Sequence, residues 1–175
     1  MLEQLKNRFY HKHLEHELVD AVHVKKESIS FEAAKKIGIL FDATDIANYS
    51  VVRKFEAEYK KKNKSVELFG FINSKNPNAA LYFKFFSRKD INWFYKPKSG
   101  LVDDFMNRKF DILINAYIEE SKPLLYISTL SKASLRVGLY FPEYTDASDM
   151  MVTIKNESNL DNFFLEINQY LNIFT

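Results

Sequence analysis

Apolar positions in this chain fall in short, nearly unbroken runs. Residues 37–41 read IGILF, 66–72 VELFGFI, 111–115 DILIN, 136–141 RVGLYF and 150–154 MMVTI. Runs of this length, bounded by polar turn residues, predict strands buried on both faces, as in a parallel sheet. Between the runs the period becomes helical. Val51, Val52, Phe55 and Tyr59 predict a helix ending near Lys62, with the lysines that a helix C-terminus favours. The segment 121–134 is helix-compatible and joins two of the apolar runs, which predicts a strand, a crossover helix and a parallel strand. A short helix is predicted over 101–108. Phe163, Phe164, Ile167, Leu171 and Phe174 predict a last helix over 159–174. The aromatic stretch 81–95 is harder to divide, and its end, 92–95, is read as a short third strand. The elements add up to a three-layer α/β fold with a mostly parallel, Rossmann-like sheet of five or six strands.

The first 30 residues follow a different pattern. Leu2, Leu5 and Phe9 share one helical face, and Leu14, Leu18 and Val22 share another, roughly opposite. One straight helix would need two partners, or the segment breaks near residues 10–12. The chain is therefore divided into an N-terminal helical arm, 1–30, and a single α/β domain, 31–175.

Composition narrows the chemistry. The chain has 175 residues, enough for one domain with a sizeable core. Phe (16) and Tyr (10) are abundant and point to a core built from rings. Glycine is scarce, at 4 residues, which disfavours the usual phosphate-cradling loops. With 25 basic and 23 acidic residues there is no global field for nucleic acid or an anionic membrane. The absence of cysteine removes disulfides, thiolate nucleophiles and thiolate metal sites. The start of the chain has no apolar signal region and no stretch reaches the length of a spanning helix, so a cytoplasmic location is expected.

The candidate chemistry is sparse. His11, His13, His16 and His23 all lie in the arm, where HLEHE does not match the HExxH zinc motif, and no metal or cofactor is expected. The domain then has no imidazole for acid–base work, and Ser128 and Ser131 have no histidine to activate them. Lys84, Arg88, Lys89, Lys96 and Lys98 interleave with Phe85, Phe86, Trp93, Phe94 and Tyr95. Such a pattern can stack and pair with single-stranded nucleic acid, but it equally fits strands with rings inside and lysines outside, and no nucleic-acid partner is expected. In parallel sheets ligands bind beyond the carboxyl ends of the strands. Asp42, Thr44 and Asp45 follow the first strand, Asn73 the second and Asn115 the fourth, and these five are the candidate ligand-binding residues. Helix capping and turn closure are the competing explanation. Asp111, at the amino end of its strand, is expected to bond nearby backbone N–H groups.

The phrases IGILFDATD (37–45), VELFGFI (66–72), INWFYKP (91–97), FDILIN (110–115), PLLYISTLSKASLRVG (123–138) and DMMVTI (149–154) resemble a family of uncharacterised small bacterial proteins with a domain of unknown function. The resemblance covers about residues 31–171 and implies an intracellular α/β domain with no assigned activity. Phe110, Asp111, Ala133, Arg136 and Gly138 are also similar, more weakly, to the N-terminal half of heptosyltransferase-type glycosyltransferases. Those enzymes carry a glycine-rich turn after the first strand and a second nucleotide-binding domain. Here the turn is Asp42-Ala43-Thr44-Asp45, so this similarity implies fold and not catalysis.

Two functions fit. One is a non-catalytic module that binds a protein partner or a second copy of itself. The other is a small-molecule-binding protein or small enzyme with a pocket at the strand ends. A broad apolar patch would favour the first, and a deep polar pocket the second.

Overall fold

The computed structural model describes residues 1–20, 29–77, 81–155 and 158–173. Val22, His23 and Phe174, used in the reading above, lie outside them. Six parallel strands form one sheet: β1 (Lys36–Asp42), β2 (Ser65–Ile72), β3 (Lys84–Ser87), β4 (Ile112–Ala116), β5 (Leu135–Leu139) and β6 (Met150–Val152). Their order is β3-β2-β1-β4-β5-β6, so the winding reverses between β1 and β4. Leu40 of β1 stands beside Phe69 of β2 and Asn115 of β4.

The strand residues alternate between two cores. Ile37, Ile39 and Phe41 face one layer with Ile112 and Ile114, under α2 (Ile46–Lys61) and α5 (Leu160–Ile173). Leu40, Phe69, Phe71 and Leu113 face the other, under α3 (Gly100–Met106), α4 (Lys122–Leu130) and α1 (Leu2–Asp20). Both faces of the sheet are thus covered, and uninterrupted apolar runs are what a two-sided burial requires. Rings fill much of this space: Phe55 stacks on Phe164 at 4.2 Å and Phe69 on Phe105 at 4.6 Å. Each fully buried Phe contributes roughly 1.5–3 kcal/mol of transfer free energy.

Three expectations change. The third strand is Lys84–Ser87, not 92–95. Residues 92–95 form a turn in which the Asn92 side chain accepts the N–H groups of Phe94 and Lys96, and Tyr95 takes a positive φ of 69°. The crossover helix stops at Leu130, and residues 131–134 only lead to β5. Helix α1 runs unbroken through residues 10–12. It needs no second partner because only one side is buried: Tyr10 and Leu14 pack inward, while Leu2, Leu5 and Phe9 stay exposed.

Polar contacts fix α1 in place. The Tyr10 hydroxyl donates to the Lys122 carbonyl at 2.9 Å. The Lys122 ammonium donates to Asn7 Oδ1 at 2.5 Å. Glu17 accepts from both Lys96 and the Tyr126 hydroxyl. No described helix is long and apolar enough to cross a membrane.

Candidate functional site

The β1–α2 turn is closed on itself. Asp42 accepts the N–H of Thr44 at 2.8 Å, and Asp45 caps α2 by accepting the N–H of Ala47 at 2.9 Å. A carboxylate therefore occupies the helix N-terminus, where a dinucleotide fold would leave room for phosphate. Thr44 Oγ1 accepts the N–H of Asn73 at 2.9 Å and so ties the loops after β1 and β2 together.

Asn115 lies on the neighbouring strand, on the same face of the sheet as Asp42 and two positions short of it. It is 1% exposed. Its amide donates to the Ala147 carbonyl at 3.1 Å and to Ser148 Oγ at 3.0 Å, and its Oδ1 accepts from Ser128 Oγ at 2.8 Å. Tyr117 completes the group with a 2.8 Å bond to Ser128, and burial pushes its hydroxyl well above the ordinary range. Gly138 makes room for this network, since a Cβ there would lie 2.5 Å from Ser148 Oγ. All these groups are satisfied internally, and the arrangement is structural in character. Arg136 and Gly138, two residues of the glycosyltransferase similarity, belong to the same structural region: Arg136 is buried and pairs with Asp149 through Nε and Nη2 at 3.0 and 2.8 Å.

The open space at the carboxyl edge lies elsewhere. A crevice of about 600 Å³ is bounded by Phe71 of β2 and Asn73 and Lys75 after it, by Arg88, Ile91, Asn92, Trp93 and Tyr95 after β3, by Glu120–Pro123 after β4, and by Lys6 of α1. Of the five candidate residues only Asn73 lines it; Thr44 supports Asn73 from behind. Among the described residues that line it, four are cations, Lys6, Lys75, Arg88 and Lys122, and one is a carboxylate, Glu120. Lys122 and Lys6 lie 4.8 and 5.6 Å from the centre of the Tyr95 ring. The Tyr95 hydroxyl donates to Glu3 at 2.7 Å, which raises the tyrosine above its ordinary range. The same bond, with help from Lys6 and Lys122, holds the Glu3 carboxyl below its own.

The crevice also receives the N-terminus of α4. Ser121, its N-cap, makes no side-chain cap bond, and Pro123 stands in the first turn. Unlike α2, this helix keeps its first N–H groups uncapped by a side chain, and it presents the positive end of its dipole to the cavity lining.

A family model matches residues 6–174. The chain belongs to the family of unknown function DUF6913. The DUF6913 match begins within α1, so the family pattern includes most of the helix that the sequence resemblance had left outside. No curated protein and no solved structure matches.

Arg88, Trp93 and Tyr95 were visible in the sequence as part of a basic–aromatic cluster, and they do share this crevice. Lys84 and Lys96 instead pair with Glu67 and Glu17. Lys6, Lys75 and Lys122 carried no sequence signal, because the strand order and the packing of α1 on α4 bring them together. His11 stacks on Tyr144 and His13 on Phe94. Among the described residues no group of His, Asp or Glu is placed to hold a metal ion.

Proposed function

We propose that this DUF6913 protein binds a small anionic molecule in the crevice at the carboxyl edge of its sheet. The observation that carries the reading is the lining: four cationic side chains and a helix N-terminus converge on one cavity that also exposes Trp93 and Tyr95. Cations focused on a partly enclosed site raise the local concentration of anions, and the rings offer apolar surface for an organic body. Its volume, about 600 Å³, is in the range of small-molecule sites. Trp93 is the chain's single tryptophan, so its emission reports the site directly. Titration with inorganic phosphate, sulfate, citrate and a mononucleotide should give a saturable emission change, weakened by salt and by Lys122→Ala. No saturable response to any of them at millimolar concentration overturns the reading.

A second reading, association with another copy of the chain, is favoured by one observation. Leu2, Leu5 and Phe9 are exposed on α1, and Trp93 joins them with its ring 5.1 Å from Phe9. Sedimentation velocity should show a dimer that Phe9→Glu dissociates; a monomer at all concentrations removes this reading.

A further inference from the structure

The four cations of the crevice are not equivalent. Lys6 and Lys122 are already engaged, since both approach Glu3, at 3.5 and 3.8 Å, and both lie over Tyr95. Arg88 and Lys75 make no side-chain hydrogen bond or ion pair with any described residue. They are also held together. The Arg88 N–H donates to the Ser74 carbonyl at 3.2 Å, which sets Lys75 beside the Arg88 turn. That turn is fixed in its own right by a capping box, with the Ser87 N–H donating to Asp90 Oδ2 at 2.8 Å. Two unneutralised positive charges therefore stand on adjoining loops at one end of the cavity.

We infer that the anion is a phosphate monoester of a hydroxylated small molecule, with its phosphate between Arg88 and Lys75 and its organic part against Trp93. The inference rests on the anion-binding reading above and specifies it. A guanidinium fork takes either a carboxylate or a phosphate on two oxygens, so the distinguishing feature is charge: a dianion matches two free cations, with Lys75 holding the second charge that a carboxylate lacks. The cavity is far larger than an inorganic ion requires, and Phe71, Ile91 and Trp93 give it an apolar wall. Glu120 would repel a second anionic group near it but accepts hydrogen bonds from hydroxyls, which favours a polyol or sugar body over a second phosphate. The β1–α2 turn cannot compete for the phosphate, because Asp45 already fills the α2 N-terminus.

The test uses the full chain and Trp93 emission, with glucose 6-phosphate, inorganic phosphate, gluconate and glucose as probes. Glucose 6-phosphate should bind at least about tenfold more tightly than gluconate at neutral pH, as expected when a second negative charge meets a second cation in a charge-assisted contact. Its affinity should rise about tenfold from pH 5 to pH 7 as the monoester takes its second charge, near pH 6. The other charged and titratable groups lining the cavity are Lys6, Lys122, Glu120 and Tyr95, with Glu3 behind the two lysines and the Asp90 carboxylate held in the Arg88 turn, and no described histidine lines the cavity. Arg88→Ala and Lys75→Ala should each weaken glucose 6-phosphate strongly and gluconate little. Both side chains are exposed, so these variants keep the fold. Equal binding of gluconate and glucose 6-phosphate, or an affinity flat with pH, overturns the phosphate inference and leaves the anion reading standing. No binding by any anionic probe overturns both.

Discussion

The Lys122 ammonium sits 4.8 Å from the centre of the Tyr95 ring, and Tyr95 holds that position with a φ of 69°. A left-handed conformation costs a non-glycine residue on the order of 1–2 kcal/mol, so the ring is kept there against a local preference. The consequence is a cation platform at the edge of the crevice, built by a strained turn and shared with Lys6.

The platform can be separated from the hydroxyl. Tyr95→Phe keeps the ring under both lysines and removes only the bond to Glu3. Tyr95→Ala removes the ring. A cation–π contact at such a half-buried, solvent-open site is worth about 0.5–1 kcal/mol, so Tyr95→Ala should weaken anion binding about two- to fivefold while Tyr95→Phe leaves it nearly unchanged. Anion titrations of the two variants check this, and equal losses would mean that the hydroxyl, not the ring, organises the site.

At the opposite edge, Asp111 accepts two backbone N–H groups through Oδ2, from Lys35 at 2.7 Å and Lys36 at 2.8 Å. These bonds anchor the entry to β1 against β4, the role expected for it from the sequence. Asp111→Ala should cost about 1.5–3 kcal/mol in urea unfolding, the usual worth of hydrogen bonds to a charged acceptor. Anion affinity should stay within about twofold, since the site lies at the other end of the strands. Wild-type stability with lost binding would reverse the assignment.

Asn115 tests the difference between a buried polar network and a binding site. Asn115→Leu keeps the approximate volume but takes their Asn115 partner from Ser148 Oγ and the Ala147 carbonyl in a dry interior, while Ser128 keeps Tyr117 and the Leu124 carbonyl. Leaving such groups unpartnered costs about 1–3 kcal/mol each, so a loss of about 2–4 kcal/mol is expected, with anion binding retained in the folded fraction. Unchanged stability would show that water or movement replaces the network.

Much of the fold is legible in the chain because a parallel sheet writes its strands as plain apolar runs. IGILF, DILIN and RVGLYF could hardly be anything else once a helix-compatible segment joined the last two. The edge strand was not legible. Lys84–Ser87 is only KFFS, while the louder aromatic run after it is a turn whose rings pack against α1, as Phe94 does against His13 at 4.9 Å. Periodicity counts rings without saying which element they cover. The first helix misled for a related reason. Its anchors, Tyr10, Asn7 and Glu17, are polar or amphipathic and fall outside an apolar stripe. The residues lining the crevice split the same way. Asn73 followed from the rule about strand ends, but Lys6 and Lys122 are far apart in sequence and meet only through the packing of α1 on α4.

The attachment of α1 should depend on pH through Glu17. Burial would raise this carboxyl, but hydrogen bonds from Lys96 and Tyr126 and the Lys96 charge outweigh it, and the group lies below its ordinary value of 4.5. A carboxyl lowered by folding binds its proton more readily in the unfolded chain. Its contribution is therefore complete above about pH 4.5 and fades as pH falls through the lower folded value. Glu17→Gln removes the charge and should lower stability by about 1 kcal/mol near neutral pH, a modest figure because the pair is partly solvated. The gap in urea midpoint between wild type and Glu17→Gln should then shrink as the pH is taken below that range. The same variant should loosen Lys6 and Lys122 along with the helix, and so weaken anion binding at neutral pH. A gap that stays constant with pH would show that Glu17 acts as a hydrogen-bond acceptor alone, without its charge. A stability loss with unchanged anion affinity would show that α1 closes the crevice without positioning its cations.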